Sequence, residues 1–171
     1  MNEEIIIILD ACVLIHFANL DRFDILQKMS DYKFFTSEHV VSEITNETQL
    51  KKVNHCISSG FIKVVKLTDI KVMKDFFTLC KRLGKGESSC IALATVNNWI
   101  VCSDDKKRVP QTVRNRLGPN HLLTTDILLS IAVSKGIISE GEKTRILEEL
   151  TRISMERITR ISLPESTISK L

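Results

Sequence analysis

The chain of 171 residues contains no CxxC pair and no cluster of cysteine with histidine. Its five cysteines, Cys12, Cys56, Cys80, Cys90 and Cys102, are odd in number, widely spaced and mostly inside apolar runs. That pattern argues against a disulfide framework and against a structural zinc site, and it reads as buried thiols in a reducing cytosol. No basic stretch precedes the apolar N-terminal run, and Asp10 interrupts it, so the run is not read as a signal peptide. No segment approaches the length needed to cross a membrane, and the expected location is cytoplasmic. Internal repeats and low-complexity tracts are missing. So are the phosphate-binding P-loop and the GxSxG nucleophile elbow, the marks of two large hydrolase classes.

What is present is an ordinary globular composition, with 26% charged and 43% hydrophobic residues and a net charge of +3. The length suits one domain with a sizeable core. A mildly basic balance permits a polyanionic partner without requiring one.

Strand and helix signals alternate along the chain. Ile5–Leu9 is five aliphatic residues in a row, mostly β-branched, which reads as a buried parallel strand ending in Asp10. A helix follows from Ala11, and a helical period resumes over Leu20, Phe23, Ile25, Leu26 and Met29. Tyr32–Phe35 reads as a second strand, after which Ser37 caps a helix carrying Val40, Val41, Glu43 and Ile44. A polar helix over 49–58 closes at Gly60. Phe61–Leu67 is the third strand expected, and a helix from about Asp69 to Arg82 follows. Trp99–Cys102 is the fourth strand, Lys106–Leu117 a basic amphipathic helix, and His121–Leu123 the fifth strand. Thr125 or Asp126 is expected to cap the next helix, which Gly136 stops. A last long helix is expected from about Ser139 to Ile153. Such alternation predicts an α/β sandwich with a mostly parallel sheet of about five strands. The domain is expected over residues 1–153, with a C-terminal tail over 154–171. There Ile158, Ile161 and Ile168 lie among arginines, and Ser162-Leu163-Pro164-Glu165 has capping-box spacing.

The stretch Leu83–Arg108 is the most informative. Two glycines, Gly84 and Gly86, punctuate a loop before Glu87, which opens a helical run through Cys90, Ile91 and Ala94. Glu87 lies three and four positions before Cys90 and Ile91. It therefore shares their apolar stripe at the positive end of the helix. The next strand runs straight into Ser103-Asp104-Asp105, placing carboxylates at the C-terminal end of a strand, where open α/β sheets hold ligands. Each acid also has a plain structural explanation: Glu87 as a dipole partner, Glu43 as a boundary charge, Asp104 and Asp105 as an acidic turn. Asp10, Glu43, Glu87 and Asp105 together are a set of like charges that would repel unless a cation lay among them. Carboxylates suit hard ions such as Mg²⁺ or Mn²⁺, which activate water for phosphodiester hydrolysis. There is no second aspartate two residues after Asp10, where Cys12 stands, which argues against a haloacid-dehalogenase-type phosphatase.

The strand ending in Asp10, the helical segment from Ser37 to Glu43, the GKGESSCIALA segment and the Ser-Asp-Asp after the next strand together resemble a PIN domain of the prokaryotic VapC-like kind. The resemblance spans roughly Ile5 to Arg152. It implies a three-layer α/β/α sandwich and a Mg²⁺- or Mn²⁺-dependent ribonuclease, with Asp10, Glu43, Glu87 and Asp105 as the catalytic acids. Asp10, Glu87, Asp105 and Asp104 would be the metal-binding group. The Ser-x-Asp spacing favours Asp105 over Asp104 as the last acid, and both stay open. Ser103, Lys85, Lys106, Lys107 and Arg108 would meet the nucleic acid, although the basic residues also read as an ordinary solvated surface. The partners implied are RNA, an antitoxin protein where the chain is the toxin of a pair, and a second copy in a homodimer. The competing reading is a non-catalytic module that uses the same scaffold to bind protein or nucleic acid. The histidines, His16, His39, His55 and His121, show no ligand spacing, and His39 alone lies near an expected site residue.

Overall fold

A computed structural model describes residues 4–162. Five strands form one all-parallel sheet in the order β3-β2-β1-β4-β5: β1 (Ile5–Leu9), β2 (Tyr32–Ser37), β3 (Ile62–Val65), β4 (Ile100–Cys102) and β5 (Leu122–Leu123). β1 pairs with β2 through Ile7 opposite Phe34 and with β4 through Leu9 opposite Cys102. Ile7, Ile8 and Leu9 are all fully buried, as a central strand covered on both faces requires. The expected third strand is shorter than its apolar run, and Lys63 and Val64 on this edge strand face solvent.

The helices are α1 (Ala11–Leu20), α2 (Phe23–Gln27), α3 (Glu38–Glu43), α4 (Glu47–Ser58), α5 (Ile70–Leu79), α6 (Lys85–Asn97), α7 (Arg108–Leu117), α8 (Thr125–Ser134) and α9 (Glu140–Ser162). α6 packs on β1, β2 and β4 with α5 and α7 beside it, while α1, α4, α8 and α9 form the other layer. The result is the three-layer α/β/α sandwich expected. α6 is buried almost all round from Ser88 to Ala94, which accounts for its weak amphipathic pattern. Among the described residues no helix is long and apolar enough to cross a membrane.

Three local expectations are corrected. Thr124, not Thr125 or Asp126, caps α8, its hydroxyl accepting from the Ile127 amide at 3.3 Å, because Thr125 is engaged elsewhere. The helix expected over Lys106–Leu117 begins at Arg108, with Pro110 in its first turn. α9 does not stop near Ile153: Arg152 bridges Glu149 and Glu156 across that point, and the helix runs on to Ser162. The short helix expected beyond Ser162, and Ile168, lie outside the described residues.

The strand order places the functional question. The chain winds outward from β1 to β3, then returns to the other side of β1 with β4. The order therefore reverses between β1 and β4, and the crevice beyond their C-terminal ends is the switch point at which open parallel sheets bind ligands. Asp10 leaves β1 there, and Ser103, Asp104 and Asp105 leave β4.

Candidate active site

Asp10 is held from three directions. Its amide donates to the Cys102 carbonyl at 3.0 Å, carrying the β1–β4 ladder one residue further. Its Oδ1 accepts from the Ala11 amide at 2.8 Å, capping α1, and its Oδ2 accepts from the Ser103 hydroxyl at 2.8 Å. The residue is only 5% exposed. Oδ1 keeps a second lone pair, so the bonds fix the group without exhausting it. Cys12 Sγ lies 3.5 Å from Asp10 Oδ2. Burial, then the Asp10 charge, push this thiol up to about 12, so it is a neutral wall of the site and not a thiolate nucleophile.

Glu43 ends α3 and is exposed, yet its Oε1 accepts from the Gly86 amide at 2.7 Å. That approach needs glycine: a Cβ at position 86 would overlap the Glu43 carboxylate. Ser37 supports the contact from the other end of α3. Its hydroxyl accepts from the Val40 amide and lies 2.5 Å from the hydroxyl of Ser89 on α6.

Glu87 is half-buried in the first turn of α6, and its Oε2 accepts from the Gly84 amide at 3.1 Å. Its carboxyl is nevertheless raised above the ordinary glutamate value, by burial first and then by the negative charges of Asp10 and Asp105.

The adjacent acids after β4 have different surroundings. Asp104 Oδ1 accepts from the Thr125 amide at 2.7 Å, and its Oδ2 accepts from the Thr125 hydroxyl at 2.5 Å and lies 2.8 Å from His16 Nδ1. Burial raises this carboxyl, but His16 and the two Thr125 donors outweigh it and hold it below its ordinary value. Asp105 is more open. Its Oδ1 accepts from the Lys107 and Val109 amides, both at 3.0 Å, at the start of α7. Slight burial is outweighed by those amides, with Arg108 adding, and the carboxyl sits low.

Asp10, Glu43, Glu87, Asp104 and Asp105 all line one open pocket of about 550 Å³, with Cys12, His16 and Arg108 on its walls. Lys85, Lys106, Lys107 and Arg108 are exposed around it, as surface cations must be to meet a polyanion. Ser103 is not: it is 1% exposed, and its hydroxyl is committed to Asp10, so it orients a carboxylate and cannot meet a nucleic acid directly. His39 is also away from the site, stacked on Phe76 at 4.7 Å between ring centres. His16, which spacing did not single out, is the histidine in the pocket. Gly86 and Thr125 likewise act through tertiary contacts that no local pattern announces.

The pocket suits a hard cation in its chemistry. The groups facing it are carboxylates, and the upward shift of Glu87, due first to burial, includes a repulsion from Asp10 and Asp105 that a cation would relieve. Among the described residues no group of three or more histidine, cysteine or acidic side chains is drawn close enough to hold a metal ion as it stands. Each of the five carboxylates has one oxygen held by a backbone amide instead: Asp10 Oδ1, Glu43 Oε1, Glu87 Oε2, Asp104 Oδ1 and Asp105 Oδ1.

A family model described as a PIN domain matches residues 6–162. Among solved structures, the chain is similar to one in the crystal structure of VapBC2 from Rickettsia felis bound to a DNA fragment from their promoter. The identity is 13% and the TM-score 0.45, covering 70% of this chain and 97% of that one. No curated protein sequence matches.

Proposed function

The chain belongs to the PIN-domain family, and from that premise we propose that it is a divalent-metal-dependent endoribonuclease cleaving phosphodiester bonds of single-stranded or structured RNA. The observation that carries this reading is the convergence of five carboxylates from four different chain segments on one pocket at the sheet's switch point. A module that only binds would have no chemical use for that repulsion.

Asp10, Glu87, Asp105 and Asp104 are the groups that would hold Mg²⁺ or Mn²⁺. When bound, such an ion lowers the pKa of water and offsets charge on a phosphoryl oxygen. Asp10 is the fixed point of the site, because Ala11 and Ser103 leave its carboxylate one orientation. Glu43, tethered through Oε1 alone, has Oε2 available to accept a proton from the attacking water. Arg108, exposed on the pocket wall, is placed to meet the phosphate and the charge that develops on it.

The same reading extends to partners and setting. A cytoplasmic nuclease of this kind needs restraint, which suits the toxin of a toxin–antitoxin pair. α9 leaves Met155 at 65% and Ile161 at 76% exposure for a protein partner such as an antitoxin. Apolar exposure on α5, with Ile70 at 67% and Phe77 at 63%, suits a homodimer. Domain 1–153 carries the chemistry in this account, and 154–171 docks.

The test is cleavage of one labelled single-stranded RNA by wild type and by Asp10→Asn, each with Mg²⁺ or Mn²⁺ and with a chelator. Cleavage should fall by orders of magnitude in the variant and in chelator, while RNA binding persists. Equal cleavage by both proteins, or cleavage indifferent to the chelator, would overturn the reading.

A further inference from the structure

A second cavity adjoins the acidic pocket and, Arg108 apart, has no part in the chemistry above. It is a groove of about 490 Å³ between the C-terminal end of α5 and one face of α7. On the α7 side stand Arg108, Gln111, Asn115 and Arg116, spaced so that they share a single helical face. On the other side stand Lys81 and Arg82. The floor is apolar, made by Leu79 and Leu83, which are 6% and 8% exposed. Arg108 lines both cavities and joins them, its Nη1 donating to the Arg82 carbonyl at 3.0 Å.

The charges are unequal along the groove. Arg116 is paired with Asp75 at 2.5 Å, whereas Lys81, Arg82 and Arg108 form no salt bridge among the described residues. Two cations free of salt bridges, Lys81 and Arg82, therefore lie beside a pocket lined by five carboxylates, with Arg108 between them, its charge already felt by Asp105 and Glu87. A polyanion cannot approach those carboxylates unaided, and the groove supplies the attraction the pocket lacks. Gln111 and Asn115 are exposed amides one turn apart, and side chains of this kind pair with the edges of bases. Cations for phosphates, amides for base edges and an apolar floor under them match a nucleic-acid strand. A protein segment would not require the three cations.

We infer that the α5–α7 groove holds the RNA nucleotides flanking the scissile phosphodiester, with Lys81, Arg82 and Arg108 at phosphates and Gln111 and Asn115 reading a base. The inference rests on the nuclease reading and adds the path of the substrate and two determinants of cleavage-site choice.

The test uses the full chain in chelator, where cleavage is blocked. It measures anisotropy of a short fluorescein-labelled single-stranded RNA of mixed sequence against salt. Lys81→Ala/Arg82→Ala should bind about tenfold more weakly near ~0.1 M salt, with a slope of log affinity on log salt shallower by about 1.4. Gln111→Ala/Asn115→Ala should keep the slope, lose about fivefold or more in affinity, and shift the cleavage sites on a long RNA once metal is restored. Lys51→Ala, an exposed lysine on α4 in the other layer, is the control and should match wild type. All the substituted groove residues but Lys81 and Arg82 sit on α7, and melting curves check that each variant stays folded. If wild type binds and cleaves RNA and both double variants match it in affinity, slope and cleavage sites, the groove is overturned while the nuclease reading stands. If wild type neither binds nor cleaves RNA, both fall together.

Discussion

The Ser103 hydroxyl donates to Asp10 Oδ2 at 2.8 Å, joining residues 93 positions apart at the ends of adjacent parallel strands. With the Ala11 amide on Oδ1, it leaves the buried carboxylate a single orientation toward the pocket. Removing the hydroxyl should free that carboxylate without disturbing the sheet, because the Asp10 amide still bonds Cys102. Ser103→Ala is therefore expected to fold normally and to cut RNA about 10- to 100-fold more slowly, the usual cost of losing the partner that orients a metal-binding group. Steady-state cleavage together with circular dichroism checks this; unimpaired cleavage would mean that Asp10 needs no such support.

Gly86 and Glu43 give a case in which stability and activity should part. An alanine at 86 is a better helix former than glycine, so α6 itself gains. Its Cβ would occupy the place of the Glu43 carboxylate, which is exposed and free to swing away. Gly86→Ala should therefore melt at the same temperature as wild type or higher, while cleavage falls about tenfold or more if Glu43 handles the proton of the attacking water. A variant that is both stable and fully active would release Glu43 from that role.

Those contacts mark where the sequence could be read and where it could not. Asp10 and the Ser103–Asp105 turn were legible because a continuous apolar run names a buried strand, and a parallel sheet presents the ends of its strands to one crevice. Glu87 was legible because it breaks an apolar helical stripe at a helix start. The supporting groups were not, since Gly86 reaches Glu43 and Thr125 reaches Asp104 only after the layers assemble. His16 belongs with these. Its contact with Asp104 crosses from α1 to the end of β4, and no spacing rule covers that. The cap of α8, expected at Thr125 or Asp126, falls at Thr124 for the same reason, since Asp104 takes Thr125 and leaves Thr124 to cap. Helix α9 was cut short because the polar, arginine-rich run after Ile153 resembles a tail, yet ion pairs one turn apart carry it onward.

Glu87 predicts a pH dependence of the metal-free protein. A carboxyl raised in the fold above its ordinary value of 4.5 favours the protonated form, so its contribution to stability is full below that value. The contribution is lost as pH rises through the raised value, where the ionised group must face burial, Asp10 and Asp105. Glu87→Gln keeps an acceptor for the Gly84 amide and has no charge to lose. In chelator the variant should therefore melt above wild type near neutral pH, with the gap closing as the solution is acidified. Added Mg²⁺ or Mn²⁺ should raise the wild-type melting temperature and raise the variant less. A gap that widens on acidification would show that the charge of Glu87 stabilises the fold.

Asp104 and Asp105 can be told apart by a paired substitution. Asp104 is clamped by His16 and Thr125 and held below its ordinary value. Its contribution to stability is thus present above that ordinary value and fades as pH falls through the depressed one. Asp104→Asn keeps the shape but loses the acceptor that serves His16 and the Thr125 hydroxyl together. It should cost about 1 kcal/mol near neutral pH, or about 2–4 °C in melting temperature, with wild type and variant converging in acid. Asp105 instead braces the start of α7 through Oδ1, which accepts from the Lys107 and Val109 amides, bonds that an asparagine carbonyl can also accept. Its remaining oxygen lies on the open pocket, where only the charge matters to a hard cation. Asp105→Asn should therefore melt close to wild type yet lose cleavage by orders of magnitude, and Asp104→Asn should lose stability first and cleavage less. Cleavage rates and melting curves for the two variants, measured side by side, decide it: the reverse ranking in cleavage would make Asp104 the metal-facing acid and Asp105 a brace for the start of α7 alone.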